Sequence, residues 1–144
     1  PCHNLKKLLT NPKILKIFHF ARFDVAKLKV NLNIEVNPVY CTKIADKLVR
    51  PTEKHSLKNL CADYLGITLD KEQQCSDWTQ AELSPEQIHY AANDVMYLHA
   101  LKSILDQKLK EQKRLKLALA CFQFLNTRAE LDILGYEDPD LFHH

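Results

Sequence analysis

The sequence predicts an α/β domain with a helix-rich second half. Three observations carry that prediction. Two short apolar runs of strand character, Leu15–Phe20 and Val39–Thr42, lie in the first third of the chain, each followed by a segment with helical spacing. Strands that alternate with helices are the mark of the α/β class. After Pro85 no glycine or proline interrupts the chain until Gly135, which leaves room for two long helices.

Each element has a local chemical cause. A helix is expected around Leu5–Leu9, stopped by Asn11-Pro12. Leu15–Phe20 reads as a buried strand. Asp24 sits where a new helix can start, with Val25, Leu28 and Leu32 as its apolar spacing. Asn37-Pro38 is a turn signal before the second strand, and a helix over Lys43–Leu48 stops before Pro51. Ser56 can cap the next helix, where Leu57, Leu60, Cys61, Tyr64 and Leu65 recur at helical spacing and Gly66 provides the stop. Residues 67–83 have weak periodicity and read as loop with a turn of helix. Ser84-Pro85-Glu86-Gln87 is a strong helix start, with Ser as N-cap, Pro at the first helical position and Gln at the third. A helix of about 25 residues and then a second fill the rest of the chain, with the break placed near Glu111–Arg114 on length alone.

Two strands are too few. Parallel strands are normally buried within larger sheets, and two alone leave both outer edges unpaired. The missing strands are therefore expected before Pro1 or on another chain; if they are not supplied, marginal stability, aggregation or an edge-paired homodimer is expected.

Composition removes several function classes. At 144 residues the chain fits one domain. Apolar residues make up 46% and charged residues 26%, which excludes bulk disorder. No apolar run approaches the ~18 residues of a membrane span. With two glycines, phosphate cradles of the GxGxxG or GxxxxGK[ST] kind are excluded. Pro1 is followed by none of the regions of a signal peptide, so a cytoplasmic chain with something preceding Pro1 is expected. Cys2, Cys41, Cys61, Cys75 and Cys121 are odd in number, widely spaced and without zinc-site pairing, the pattern of reduced, mostly buried thiols. The net charge of +2 hides segregation: residues 1–58 carry twelve Lys/Arg against four Asp/Glu, and residues 59–100 carry one against seven. This reads either as solvated faces of alternating sign or as a basic rim around an acidic pocket that grips phosphates and holds cations.

Two carboxylates stand out. On a helical wheel Tyr90, Asp94, Tyr97, Leu98, Leu101, Ile104 and Leu105 share one face, with His89, Asn93, Ser103 and Gln107 opposite. Asp94 thus lies within the inward stripe, where a carboxylate is costly unless paired or bound to a metal, and Tyr90 is one turn away. Asp24 follows the carboxyl end of the first strand, where α/β sheets place their ligands. For Asp94 the alternative is a carboxylate satisfied by backbone or an Arg; for Asp24 it is a plain helix N-cap.

These residues carry a resemblance. Lys16-Ile-Phe-His19-Phe-Ala21-Arg-Phe-Asp24 resembles the second exonuclease motif of the DEDD superfamily, and Tyr90-Ala-Ala-Asn-Asp94 resembles its third, Tyr-x-x-x-Asp, in the subclass that uses Tyr. His55-Ser56-Leu57, Leu69-Asp70-Lys71, Ser76-Asp77-Trp78 and Leu83–Gln87 recur in the order found in ribonuclease D. The tail, Cys121–Leu125 through Thr127–Asp132 and Gly135-Tyr136, is similar to short bacterial ribonuclease D proteins that lack the extra helical nucleic-acid-binding domains. The resemblance covers nearly the whole chain. One departure is Phe20 at a position where Asn often stands. The serious one concerns the first motif, Asp-x-Glu, which in the family lies on an earlier strand: residues 1–23 contain neither Asp nor Glu.

The resemblance implies an RNase H-like exonuclease fold without its N-terminal antiparallel strands. Residues 1–144 would form a single, N-terminally incomplete 3′–5′ exonuclease domain, with 117–144 as its C-terminal helical extension. It implies hydrolysis of RNA from the 3′ end, in RNA processing or turnover, by two Mg²⁺ or Mn²⁺ ions about 3.5–4 Å apart. Asp94 would help hold the first metal, Asp24 would support the second through water, and Tyr90 would orient the attacking water. The Asp and Glu of the first motif would supply most of the remaining ligands. His19, Arg22, Lys71 and Trp78 are the expected nucleic-acid contacts, Trp78 either stacking a terminal base or packing under the loop. Lys6, Lys7, Lys13, Lys16, Arg22, Lys27 and Lys29 are the expected basic rim. Partners are then RNA 3′ ends, with DNA as an alternative because the chemistry acts on the phosphate, and the missing N-terminal segment or its equivalent; no membrane is implied. A nucleic-acid-binding remnant that no longer cuts is the other reading.

Overall fold

A computed structural model describes residues 3–69, 85–136 and 141–142. Helix α1 (His3–Thr10) leads through the turn at Asn11-Pro12 into strand β1 (Lys16–Phe18), then α2 (Ala21–Leu32), β2 (Val39–Cys41) and α3 (Thr42–Val49). Helix α4 (Leu57–Leu60) runs on into a wider turn, Cys61–Leu65; two long helices, α5 (Pro85–Glu111) and α6 (Leu115–Ile133), complete the fold. Among the described residues the sheet has two parallel strands, in the register Lys16↔Val39, Ile17↔Tyr40, Phe18↔Cys41.

The elements predicted within the described residues are present, with one informative shift; the loop expected over 67–83, beyond residue 69, and the Ser84 cap lie outside them. Helix α2 begins at Ala21, so Asp24 lies inside its first turn and is no N-cap. The carbonyl of Phe20 already accepts the amides of Phe23 and Asp24, at 3.1 and 3.2 Å, which closes the turn ahead of the carboxylate. Phe20 occupies the cap position and offers no side-chain hydrogen bond. The Ser56 cap is as predicted: its Oγ accepts the amide of Asn59 at 3.1 Å. Gly66 ends the following turn at φ +67°, the left-handed stop that glycine adopts without strain. The α5–α6 break, legible only as a length argument, is made by Lys113 at φ +60° and by Arg114, whose Nη1 donates to the carbonyl of Leu48 at 2.5 Å.

The core forms where α2 packs on α6 and α3 packs on α5, with α5 against β1 and α6 against β2. Leu101, Leu105 and Leu109 of α5 are fully buried, and the rings of Tyr40 and Phe122 join β2 to α6 with centroids 4.6 Å apart. Residues 117–133 are part of this packing, since Phe122, Leu125 and Ala129 are buried. Cys41 and Cys61 are buried free thiols, while Cys121 is an exposed one. No described helix is long and apolar enough to cross a membrane.

Three polar residues hold the strand ends. Lys16 is buried on β1 and donates from Nζ to the carbonyls of Asn11 at 2.6 Å and Asn37 at 2.7 Å, tying together the two turns that precede the strands. His19, just after β1, bonds through Nδ1 to Thr42 Oγ1 at 2.8 Å and through Nε2 to the carbonyl of His55 at 2.7 Å. Asp46 of α3 is fully buried, and both its oxygens are occupied. Arg50 Nε and Tyr64 Oη donate to Oδ1 at 2.7 and 2.5 Å, and His55 Nδ1 donates to Oδ2 at 2.6 Å. Burial alone would raise the Asp46 carboxyl, but these donors hold it below its ordinary range. Burial lowers the His19 imidazole to about 4.

Asp46→Ala leaves the Arg50 guanidinium and the His55 and Tyr64 donors without their acceptor. A loss of about 3–5 kcal/mol is expected, read as a lower urea midpoint at unchanged slope; a loss within 0.5 kcal/mol, the ordinary range for surface changes, contradicts the assignment. The pH dependence has a definite sign. His19 is neutral in the fold and protonates near its ordinary 6.5 when unfolded, so the unfolded chain binds more protons between those values. Stability is expected to fall as pH drops from about 6.5 to 4, by on the order of 2 kcal/mol. Below that, protonation of Asp46 removes a further share. His19→Asn should flatten the upper part of the profile and leave the lower part, and an unchanged slope between pH 6.5 and 4 in that variant rules His19 out as the cause.

Candidate active site

Asp24 projects from the first turn of α2, past the carboxyl end of β1. It is half-buried, and burial pushes its carboxyl above the ordinary carboxylate range, with the charge of Lys27 acting the other way. No donor among the described residues hydrogen-bonds to it. A carboxylate partly removed from water and without protein donors is an oxygen ligand suited to a hard divalent cation.

The predicted stripe on α5 holds wherever side chains are described. Leu101 and Leu105 are buried, Tyr97 and Ile104 half-buried, and Ser103 and Gln107 exposed on the other side. The same spacing carried toward the N-terminus passes through positions 94 and 90, both within helix α5. The side chains of Tyr90 and Asp94 lie outside the described residues, as do Lys71, Trp78, Asp70 and Asp77. Among the described residues no group of three or more His, Cys, Asp or Glu could hold a metal ion, so Asp24 is the one expected ligand whose surroundings are described.

Several sequence expectations change. His19, one of the expected nucleic-acid contacts, has both ring nitrogens engaged inside the fold. Arg22, another, pairs bidentately with Asp132, Nε to Oδ2 and Nη2 to Oδ1, each at 2.6 Å, clamping α2 to α6. Lys16 leaves the expected basic rim because its ammonium is buried on backbone carbonyls. The Asp-x-Glu pattern itself does occur, as Asp70-Lys71-Glu72, but downstream of Asp24 and outside the described residues.

One feature that sequence reasoning missed lies beside Asp24. The rings of Phe20 and Phe23 are exposed and meet edge-to-face with centroids 6.0 Å apart. Lys43 Nζ stands 4.3 Å from the Phe20 centroid and Lys27 Nζ 5.0 Å from that of Phe23. The Phe23–Lys27 spacing is legible as a helical i,i+4 pair. The Phe20–Lys43 contact joins separate elements and gives no local signal.

Residues 1–110 match the family described as 3′–5′ exonuclease. Ribonuclease D of Xanthomonas oryzae pv. oryzae is 36% identical over 111 residues, which are 77% of this chain and 31% of that protein. Among solved structures, Brucella melitensis NrnC superposes with a TM-score of 0.88 at 50% identity, covering 98% of this chain and 69% of that one. The same protein has been solved with bound Mg²⁺ and bound to pGG. Escherichia coli RNase D, an exoribonuclease involved in structured RNA processing, superposes with a TM-score of 0.80 at 25% identity, covering 90% of this chain and 35% of that one. The chain thus spans about a third of the ribonuclease D proteins it matches. With the family match over most of its length, and with this fold, the chain belongs to the 3′–5′ exonuclease family, of the ribonuclease D type.

Proposed function

We propose that this protein is a 3′–5′ exoribonuclease that hydrolyses phosphodiester bonds at RNA 3′ ends with divalent metal ions. The observation that carries the reading is Asp24: a half-buried carboxylate at the ligand-binding end of the strands, raised by burial and without a donor among the described residues. The donor set fits Mg²⁺ or Mn²⁺, which take oxygen ligands. Asp24 and Asp94 would hold the ions, which would supply positive charge to the attacking and leaving oxygens at the scissile phosphate.

The chain's own residues do the rest. Helix α2 presents Asp24 from its first turn, where the dipole favours a negative charge and partly opposes the effect of burial. Tyr90 lies one turn before Asp94 on α5 and would direct the attacking water by its hydroxyl. The Phe20 and Phe23 rings, with Lys43 and Lys27 beside them, offer stacking and positive charge to a single-stranded end. The pGG complex of the Brucella relative supports short RNA as a substrate class, and its Mg²⁺ complex supports divalent metal use.

The test is release of mononucleotides from 3′-labelled RNA and from pGG by the complete protein with Mg²⁺ or Mn²⁺, with the matching DNA in parallel. Asp24→Asn and Asp94→Asn should each abolish release while leaving the melting temperature near that of the wild type. Digestion at near wild-type rate by either variant removes that residue from the site. Faster cleavage of the DNA would make the protein a DNA exonuclease, and binding without cleavage would make it a remnant. Tyr90→Phe should lower turnover by roughly 10²-fold or more while metal affinity barely moves; strongly weakened metal binding in that variant would make Tyr90 a ligand instead.

A further inference from the structure

Helix α2 must aim Asp24, yet its N-terminus has no side-chain cap, since Phe20 contributes none. The residue before it is held from three sides instead. The His19 carbonyl accepts the Cys41 thiol at 3.3 Å, its Nδ1 meets Thr42 Oγ1 at 2.8 Å, and its Nε2 meets the His55 carbonyl at 2.7 Å. A carbonyl only accepts, so Nε2 carries the proton, and in the neutral ring Nδ1 is left as an acceptor for the Thr42 hydroxyl. That hydroxyl lies closer to Nδ1 than to its other acceptor, the Phe18 carbonyl at 3.3 Å. The His55 backbone is itself anchored, because its ring donates to the buried Asp46 at 2.6 Å.

We propose that His19, locked as its Nε2–H tautomer between Thr42 and the His55 carbonyl, is a positioning residue that sets the α2 first turn and so the Asp24 carboxylate. The proposal rests on the reading of Asp24 as a cation ligand. His19 touches neither substrate nor metal. It acts through the backbone of residues 19–24, and the Arg22–Asp132 clamp fixes the flank of the same helix turn. Displacing the start of α2 by a fraction of an ångström moves Asp24 with it, and misplacements near 1 Å cost on the order of 10²-fold in rate.

Thr42→Val tests this at nearly constant volume, removing one buried hydroxyl and leaving His19 Nδ1 without its donor, so melting temperature is read beside activity; Thr42→Ser keeps the hydroxyl, and His19→Asn removes the ring. Three quantities are read on the complete protein: kcat and KM on pGG with Mn²⁺, Mn²⁺ affinity by calorimetry without RNA, and melting temperature. Thr42→Val and His19→Asn are expected to lower kcat about tenfold or more with KM within about twofold, and to weaken Mn²⁺ binding severalfold. Thr42→Ser should restore both. ¹⁵N NMR of the wild-type ring should show the proton on Nε2. Unchanged kcat and Mn²⁺ affinity in Thr42→Val, a loss that only tracks the unfolded fraction, or an Nδ1–H tautomer each overturns the proposal. Should the wild type bind Mn²⁺ without cutting pGG, the exonuclease reading fails, while weakened binding in Thr42→Val restored in Thr42→Ser still upholds the positioning role.

Discussion

A carboxylate with no exposed surface, Asp46, gathers donors from the residue that ends α3, the loop before α4 and the wider turn after it. Burying a charge is costly unless it is paired and hydrogen-bonded, and here both oxygens are occupied by three donors, two of them from groups that can carry positive charge. Arg50 passes the connection outward, its Nη1 donating to Asp63 at 2.8 Å. His55 passes it inward, because the residue whose ring binds Asp46 is also the one whose carbonyl receives His19. The position of the β1–α2 turn is therefore set by a chain of hydrogen bonds that begins at Asp46, some 22 residues beyond Asp24 in sequence.

The two aspartates differ in what surrounds them. Both are withdrawn from water, and desolvation is the largest influence on each. At Asp46 the donors outweigh it and the carboxyl is lowered; at Asp24 nothing described does so and the carboxyl is raised. An acidic group kept in that condition is stabilised by whatever brings positive charge to it, and a divalent cation does so more strongly than a solvated lysine. Under the proposed function this contrast is what makes Asp24 the ligand and leaves Asp46 to the fold.

Much of this was legible in the sequence because it is local. The Ser56 cap, the Gly66 stop, the Pro85 helix start and the inward stripe of α5 are set by neighbours within a turn or two, and they appear where the pattern put them. The start of α2 departs from the pattern: Asp is a good cap and Phe20 is not, yet closure of the first turn by the Phe20 carbonyl decides the boundary. The differences at the site share one cause. His19, Arg22 and Lys16 look like free cations or donors in a string of letters, and their partners, His55, Asp132 and Asn37, are 36, 110 and 21 residues away. Periodicity does not encode such pairs.

The charge segregation is reinterpreted by the same contacts. Twelve basic residues in the first 58 look like a surface built to hold phosphate. Lys16, Arg22 and Arg50 hold the fold together instead: Lys16 on carbonyls, Arg22 on Asp132 and Arg50 on Asp46 and Asp63. Lys27 and Lys43 remain over exposed aromatic rings, on either side of the turn that leads to Asp24. Long-range attraction for a polyanion depends on net charge and survives this rearrangement. Placement of a strand end depends on particular side chains, and in the proposed function that role would fall to the Phe20 and Phe23 rings with lysines beside them. Such a surface would grip a flexible single strand by its bases and tolerate many sequences, since every base offers a face to stack.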